Sequence, residues 1–482
     1  MRLLVIACAT AAVVAIGGCV VGPAYHRPEA PASDAFKEAP PDGWKTAQPN
    51  DAIPRGAWWT LYNSAELNGL EDQVAISNQN VIAALAQYRE ARDQIRIARS
   101  AFYPTVTTAP TATLARANIA ARSSSGSVIS GSTTSATVVD YSLPVDFSYQ
   151  ADVWGSVRNS VTAATATAQA SAADIENAQL TYQAQLAETY FELHGLDVDA
   201  DLLQTTLQLY GESLQLTKDR LEAGVVSGAD VAQAQAQLDA THAQWLDVGV
   251  ARAQYEHAIA VLIGKPPSAV TIPASLIHTL PPPVPIAMPS ALLERRPDIA
   301  GAERRVAAAN AQIGVAQSAF YPTLTLNASG GFAGTALSTL LTWPSRFWAV
   351  GPTLAATLFD AGKRHAQVDL QEATFDAAVA TYRQTVLTTF QQVEDQLAAL
   401  RILEQEAAAE DSAVKAAQDA LDIVNEQYRA GTVDYLSVIT AQTTLLTDRR
   451  TALDIQTRRL TASVLLIEAL GGGWDSSTLP NP

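Results

Sequence analysis

Val139-Asp140-Tyr141-Ser142-Leu143-Pro144-Val145-Asp146-Phe147-Ser148-Tyr149 alternates without a break. The odd positions are apolar or aromatic, and the even ones carry hydroxyls, carboxylates or a proline. Side chains on a strand point to opposite faces at every step, so this stretch builds a wall with one greasy face and one wet face. Its eleven residues match the length of a tilted strand crossing a bilayer. Shorter stretches agree: Val106 and Leu114 stand against Thr105, Thr107, Thr111 and Thr113, Leu324 and Leu326 against Thr323, Thr325 and Asn327, and Trp348, Val350, Leu354 and Leu358 against Thr353 and Thr357. Half of a soluble sandwich would alternate in the same way. Four strands, at about 104–115, 138–150, 322–332 and 347–358, are however too few to close a barrel. Lipid forbids an open edge, so other copies of the chain must close it. Two copies leave little room inside, whereas three enclose an aqueous lumen. The Ser/Gly/Thr-rich stretch 116–136 reads as a flexible external loop, and 333–347 as a shorter one.

The strands sit inside a duplication. Gln94-Ile95-Arg96-Ile97-Ala98-Arg99-Ser100-Ala101-Phe102-Tyr103-Pro104-Thr105 returns as Gln312-Ile313-Gly314-Val315-Ala316-Gln317-Ser318-Ala319-Phe320-Tyr321-Pro322-Thr323, and Ala223-Gly224 returns as Ala430-Gly431. Each half is therefore one structural unit that buries its surface against the other or against further copies. The pattern is helical from Trp58 to about Arg99, and two stretches, about 155–223 and 362–430, carry heptad stripes. At 1.5 Å per residue each is a rod of roughly 100 Å. Each rod ends at a Gly turn and returns, over about 229–263 and 435–470. A plain two-helix coiled coil would share the stripes but leaves the strands unexplained. Pro266, Pro267, Pro273 and Pro281-Pro282-Pro283 mark an irregular crossing before a helix opening at Pro297.

The 482 residues carry a net charge of −17, which argues against a nucleic-acid partner. The only cysteines are Cys8 and Cys19. Met1-Arg2 and the apolar run Leu3 to Ile16 read as a signal peptide. It ends in Ile16-Gly17-Gly18-Cys19, which resembles the bacterial lipobox and implies that Cys19 becomes the lipidated first residue of the mature chain. Val20 rather than Asp follows, which favours the outer membrane. The reading divides the chain into a signal peptide (1–18), a lipidated extended segment (19–57), a first repeat (58–265), a Pro-rich equatorial linker (266–296), a second repeat (297–471) and a C-terminal tail (472–482).

Several segments together carry a family resemblance. They are Gly18-Cys19-Val20-Val21-Gly22-Pro23-Ala24-Tyr25-His26-Arg27-Pro28, Trp58-Trp59-Thr60-Leu61-Tyr62, Leu292-Leu293-Glu294-Arg295-Arg296-Pro297-Asp298-Ile299, Ala302-Glu303-Arg304-Arg305, Ala308-Ala309-Asn310-Ala311-Gln312-Ile313-Gly314 and Ala469-Leu470-Gly471-Gly472-Gly473-Trp474. Over essentially its whole length the chain resembles the TolC-like outer-membrane efflux proteins, most closely the NodT/OprM-type lipoproteins of resistance-nodulation-division pumps. The resemblance implies an α+β membrane protein in which a helix–strand–strand–long helix–helix unit is duplicated. It further implies a homotrimer whose twelve-strand outer-membrane β-barrel continues into a twelve-helix periplasmic α-barrel. The implied partners are the outer-membrane lipid, a periplasmic membrane-fusion adaptor and an inner-membrane pump. The implied role is passive conduction of drugs or other small toxic compounds to the exterior, with no cofactor and no catalysis.

The same resemblance places the turns at Gly224 and Gly431 at the periplasmic tip, where Val225 and Thr432 would meet the adaptor. Asp230 and Asp434 would ring an aperture there, latched to Arg220 or Arg429 beside Tyr428. Leu436 and Thr440 would face the pore; relatives often carry an acid at the Thr440 position. The spacing also has a plainer meaning: Ser227 with Asp230, and Asp434 with Ser437, fit helix N-caps. Arg295 and Arg296 fit an anchor for the crossing loop better than a basic site. The six histidines are scattered, and no metal-ligand set, nucleophile elbow or phosphate loop is present. Two other readings remain at this stage: a duct for type I protein secretion, and a lipid-anchored periplasmic coiled-coil adaptor.

Overall fold

The computed structural model describes residues 20–31, 35–38, 57–122, 128–276, 279–283 and 295–480. The signal peptide and the lipidation at Cys19 fall outside the described residues. The chain divides into two compact units, one of residues 1–27, 90–168 and 305–379, the other of 28–89, 169–304 and 380–482.

The first unit is built on one antiparallel sheet. Its strands are β1 (Thr105–Thr107), β2 (Thr111–Arg122), β3 (Val128–Ala151), β4 (Thr323–Gly334) and β5 (Arg346–Ala355). β1 and β2 share one edge of β3, and β4 and β5 follow on the other side. The single strand predicted over 104–115 is thus two. The ladder breaks where Pro144 lies opposite residues 108–110, which include Pro110; neither proline has an N–H to donate. Thr108 Oγ1 bonds Pro144 O at 2.7 Å across the gap. Pairing resumes in the same register, with Thr107 facing Asp146 and Thr111 facing Ser142. The flexible loop expected over 116–136 is also corrected, because most of it is ladder, with Arg116 facing Thr137 and Ala120 facing Thr133. Backbone hydrogen bonds need no apolar side chains, and threonine suits a strand.

Register sorts the two faces. Asp146 faces Ser329, Ser148 faces Asn327 and Thr325 faces Thr353, while Phe147 faces Ala328, Tyr149 faces Leu326 and Leu324 faces Leu354. On the polar face Ser148 Oγ donates to Asn327 Oδ1 (3.1 Å), and Asn327 Nδ2 donates to Thr353 Oγ1 (3.2 Å). On the other face Trp348 is 81% exposed, Val350 75% and Leu114 71%. Among the described residues, the outer edges of β1, β2 and β5 have no strand partner within the chain.

The N-terminal segment is tied to this unit beside the end of β3. Val21 N donates to Trp154 O (3.1 Å), and Asn159 Nδ2 donates to Val21 O (2.8 Å). Gly22 has φ +132°, and a Cβ there would lie 2.7 Å from Gly314 Cα, so no larger residue fits. Trp154 stacks on Tyr321 with centroids 4.6 Å apart and donates its indole N–H to Pro322 O (2.8 Å).

The helices are α1 (Ala65–Ser77), α2 (Gln79–Ser100), α3 (Ser156–Glu222), α4 (Gly228–Leu262), α5 (Pro297–Ser318), α6 (Lys363–Arg429) and α7 (Tyr435–Ala469). The two long helices have 67 residues each and the two return helices 35 each, so the paired helices match in length to the residue. The unbroken helix expected from Trp58 to Arg99 is corrected: Trp58–Tyr62 is a short 3-10 helix, and Asn78 separates α1 from α2. Asn78 is extended, its Oδ1 accepts from Asn80 N (2.9 Å), and its Nδ2 donates to Leu262 O (2.8 Å). A capping asparagine that also grips a neighbouring helix end leaves no mark on the apolar period.

In the second unit, Leu67, Val74, Leu186, Leu193, Ile259, Val393, Leu397, Ile455 and Leu466 form one fully buried core with Trp58 and Tyr190. A charged network lies beside it. Asp197 accepts from His194 Nδ1 (2.9 Å), Arg252 Nε (2.6 Å) and Ser275 N (3.1 Å). Arg252 Nη2 reaches Ile272 O (2.8 Å), and Ile272 N donates to Glu256 (2.7 Å), so the Pro-rich crossing is pinned at both residues. Burial alone would raise the Asp197 carboxyl, but the bonds from His194, Arg252 and Ser275 outweigh it and hold it below the ordinary range. Its contribution is therefore complete above the unfolded value of about 3.9 and is lost as pH falls through the lower folded value. Asp197→Ala should cost about 3–5 kcal/mol, because it leaves the largely buried Arg252 guanidinium without its carboxylate and His194 Nδ1 and Ser275 N without their acceptor. The fall in Tm by calorimetry measures it, and Asp197→Asn should lose less.

Candidate functional site at the helical tips

Both long helices end in the same way. Val225 N bonds Arg220 O (2.9 Å) and Gly224 N bonds Leu221 O (2.9 Å); Thr432 N bonds Gln427 O (3.0 Å) and Gly431 N bonds Tyr428 O (3.0 Å). These are paired Schellman closures, and they require the left-handed φ of +73° at Gly224 and +76° at Gly431. The carboxylates then start the return helices. Asp230 closes a capping box with Ser227, accepting from its N–H (2.8 Å) and hydroxyl (2.9 Å). Asp434 accepts from Ser437 N (3.1 Å) and Ser437 Oγ (2.6 Å). Those bonds, the Ser437 hydroxyl first, hold the Asp434 carboxyl below its usual range. The cap is complete above about pH 4 and weakens as pH falls through the lower folded value, so the protection factor of the Ser437 amide, with the intrinsic exchange rate divided out, should fall on strong acidification.

Arg220 joins the two tips. Its guanidinium lies 4.4 Å from the centre of the Tyr428 ring, Nη1 donates to Tyr428 O (2.9 Å) and Nη2 to Arg429 O (3.1 Å). A cation thus sits on the negative end of α6 and satisfies two of its last carbonyls. Arg429 turns instead to Glu426 (2.7 Å). Among the described residues, then, no ion pair links Asp230 or Asp434 to Arg220 or Arg429 within one chain; the arginine binds backbone, not a carboxylate. The duplication is deliberately unequal here, since the position equivalent to Arg220 is Gln427 and that equivalent to Tyr428 is Leu221.

Below the bridge, Tyr428 and Tyr435 meet with centroids 5.4 Å apart in a small cluster with Leu214, Ala234 and Val438, and Tyr435 bonds Ser213 Oγ (3.0 Å). The Ser213–Tyr435 pairing has one mark in the sequence, the aromatic Tyr435 directly after the capping Asp434. Leu436 is 55% exposed, and Thr440, also exposed, donates to Leu436 O (2.9 Å) one turn on, so the two share an open face. Val225 and Thr432 are exposed at the turns.

Comparison with known proteins gives this geometry its context. The outer membrane efflux protein family model matches residues 70–265 and 288–472. The chain belongs to that family. It is 30% identical over 468 residues to the probable efflux pump outer membrane protein TtgC of Pseudomonas putida, covering 96% of this chain and 94% of TtgC. It is 31% identical over 466 residues to the outer membrane protein OprJ of Pseudomonas aeruginosa, covering 95% and 94%. The solved structure of the outer-membrane channel OprN superposes with a TM-score of 0.84 at 28% identity, covering 95% of this chain and all of that one. This efflux protein is accordingly an outer-membrane channel that serves an efflux pump, mostly helical with one sheet. That is the family indicated by the Arg295–Ile299 and Ala469–Trp474 segments. Arg296 itself is a structural anchor: it bonds Asp298 (2.6 Å) and donates to Ala469 O (2.9 Å). No helix among the described residues is long and apolar enough to cross a membrane.

Proposed function

We propose that three copies of this efflux channel close their sheets into a twelve-strand barrel and their helices into a twelve-helix periplasmic tunnel. The observation that carries the reading is the sheet: one face apolar and exposed, the other lined with hydroxyls and carboxylates, and both edges unpaired among the described residues of the chain. In lipid such edges must be satisfied by another strand, and the polar face then lines water. Lipidation at Cys19 fits the same picture, because Val20 packs beside Gly155, just past the end of β3.

The tunnel passively carries drugs or other small toxic compounds delivered by an inner-membrane resistance-nodulation-division pump through a periplasmic adaptor. The adaptor meets the turns at Gly224, Val225, Gly431 and Thr432. The tips form the gate. Arg220 holds the second hairpin to the first through Tyr428, Leu436 and Thr440 face the aperture, and Asp230 and Asp434 cap helices while placing negative charge at the rim. Recording from the purified protein in planar lipid tests this: discrete conductance steps with a preference for cations are expected, and a bilayer left sealed would refute it. Detergent should still be needed to extract Cys19→Ser, since the barrel holds the chain without its lipid; release of that variant by buffer would reduce the protein to a lipid-tethered periplasmic body.

A further inference from the structure

Charge is unevenly placed on the two faces of the sheet. Its two carboxylates, Asp140 and Asp146, stand on the polar face, opposite Thr113 and Ser329. Arg346 stands on the other. It shares the apolar face of β5 with Trp348, Val350 and Leu354, and Phe332 lies beside it on β4. Arg116 is on the same face of β2, one pleat beyond Leu114. Both arginines lie toward the end of the sheet that carries the strand-to-strand loops, away from the end that runs into the helices. A guanidinium is tolerated on a lipid face only near the membrane surface, where its charge meets water or an anion. The step from Leu354 to Arg346 covers about 20 Å of bilayer once the strand is tilted, so Arg346 emerges at the outer surface.

The loop before β5 holds it there. Ser345 Oγ (2.9 Å) and Thr342 Oγ1 (2.6 Å) both donate to Thr339 O, and Leu340 is buried. Trp343 opens the short turn that follows, and the Arg346 guanidinium lies over its ring while Nε donates to Trp343 O (3.3 Å). Arg346 is exposed, and among the described residues its two terminal NH2 groups bond nothing and no carboxylate pairs with it. The stacked ring fixes the plane of the fork and leaves its outer donors to solvent.

The surroundings select the ligand. A planar pair of N–H donors grips a phosphate with two parallel bonds. Next to it Leu341, Trp343 and Trp348 are largely exposed, and this apolar surface continues along β5 through Val350 and Leu354. A free anion would leave that surface uncovered. A molecule that suits both parts carries a phosphate head above acyl chains. We propose that the Arg346–Trp343 corner binds the phosphate of an outer-leaflet glycolipid, the lipid A of lipopolysaccharide, with its acyl chains laid along the apolar face of β5. The inference rests on the channel reading, which puts this face in lipid, and adds to it one specific lipid at the outer rim.

The test uses the full-length protein in lauryldimethylamine oxide. Native mass spectrometry follows retention of bisphosphoryl lipid A and of the same lipid with its phosphates removed. Wild type should retain the phosphorylated lipid at about tenfold lower concentration, the effect of charged hydrogen bonds to one phosphate. Arg346→Gln should erase that preference, and Arg346→Lys should restore only part of it, since an ammonium is no fork. Inorganic phosphate at the same concentration should not displace the lipid; displacement would reveal an anion site indifferent to acyl chains and overturn the proposal. Equal retention of the two lipids by wild type, or an unchanged preference in Arg346→Gln, overturns it as well. Should that variant fail to assemble, the two lipids on wild type decide alone. Conductance of the wild-type preparation reports separately on the channel, so conduction without lipid preference sinks this inference and leaves the channel standing.

Discussion

Val350→Arg should destabilise the assembled protein by about 2–4 kcal/mol, the cost of a guanidinium facing lipid near the bilayer midplane. Val350 lies on edge strand β5, on the face shared with Trp348 and Leu354, and is paired with Ala328. Thr353, three residues on, points the other way and accepts from Asn327. Thr353→Arg should therefore leave assembly nearly intact and shift ion preference toward anions, because its charge enters the lumen. Heat-modified gel mobility and denaturant midpoints read the first effect, and reversal potentials in a salt gradient read the second. Equal destabilisation by both substitutions would contradict the assignment of faces. The contrast depends only on the alternation that Val139 to Tyr149 displays and on the register that carries it across the sheet.

Arg220→Ala should raise the open fraction of the gate about 5- to 30-fold. The change removes two charged hydrogen bonds to the end of α6 and a ring contact, and an exposed site of this kind is worth about 1–2 kcal/mol. Arg220→Lys should recover little, since an ammonium cannot reach two carbonyls as a fork while lying flat on Tyr428. Asp230→Ala and Asp434→Ala should act differently, loosening the starts of α4 and α7 without freeing the bridge. Mean open probability in single-channel traces distinguishes these outcomes. A closed state indifferent to Arg220 and sensitive to Asp434 would return the latch to the carboxylates.

Much of this could be read from the chain itself, for physical reasons that also mark where reading stopped. The duplication and the glycine turns are visible because a left-handed position admits little else, so Gly224 and Gly431 stand out as a pair. The faces of the sheet are visible because burial imposes period two. The extension of β2 and β3 into the Ser/Gly/Thr stretch is not, since backbone ladders carry no residue signature. Nor is the break at 108–110, which needs Pro144 to fall opposite it; only register supplies that. The capping of Asp230 and Asp434 follows from spacing alone. The partner of Arg220 does not, because carbonyl oxygens belong to every residue and have no letter in the sequence. For the same reason the packing behind the Gly471–Trp474 turn is silent: three glycines announce a turn, and only the fold shows that a Cβ on Gly471 would meet Arg295 O and one on Gly472 would meet Leu180.

The central claim is that a sheet too narrow to seal itself is completed by sister copies. Light scattering on the detergent-solubilised mature protein, corrected for bound detergent, measures this most directly. A protein mass of three chains is predicted, and a monodisperse single chain that still resists extraction by buffer would contradict it.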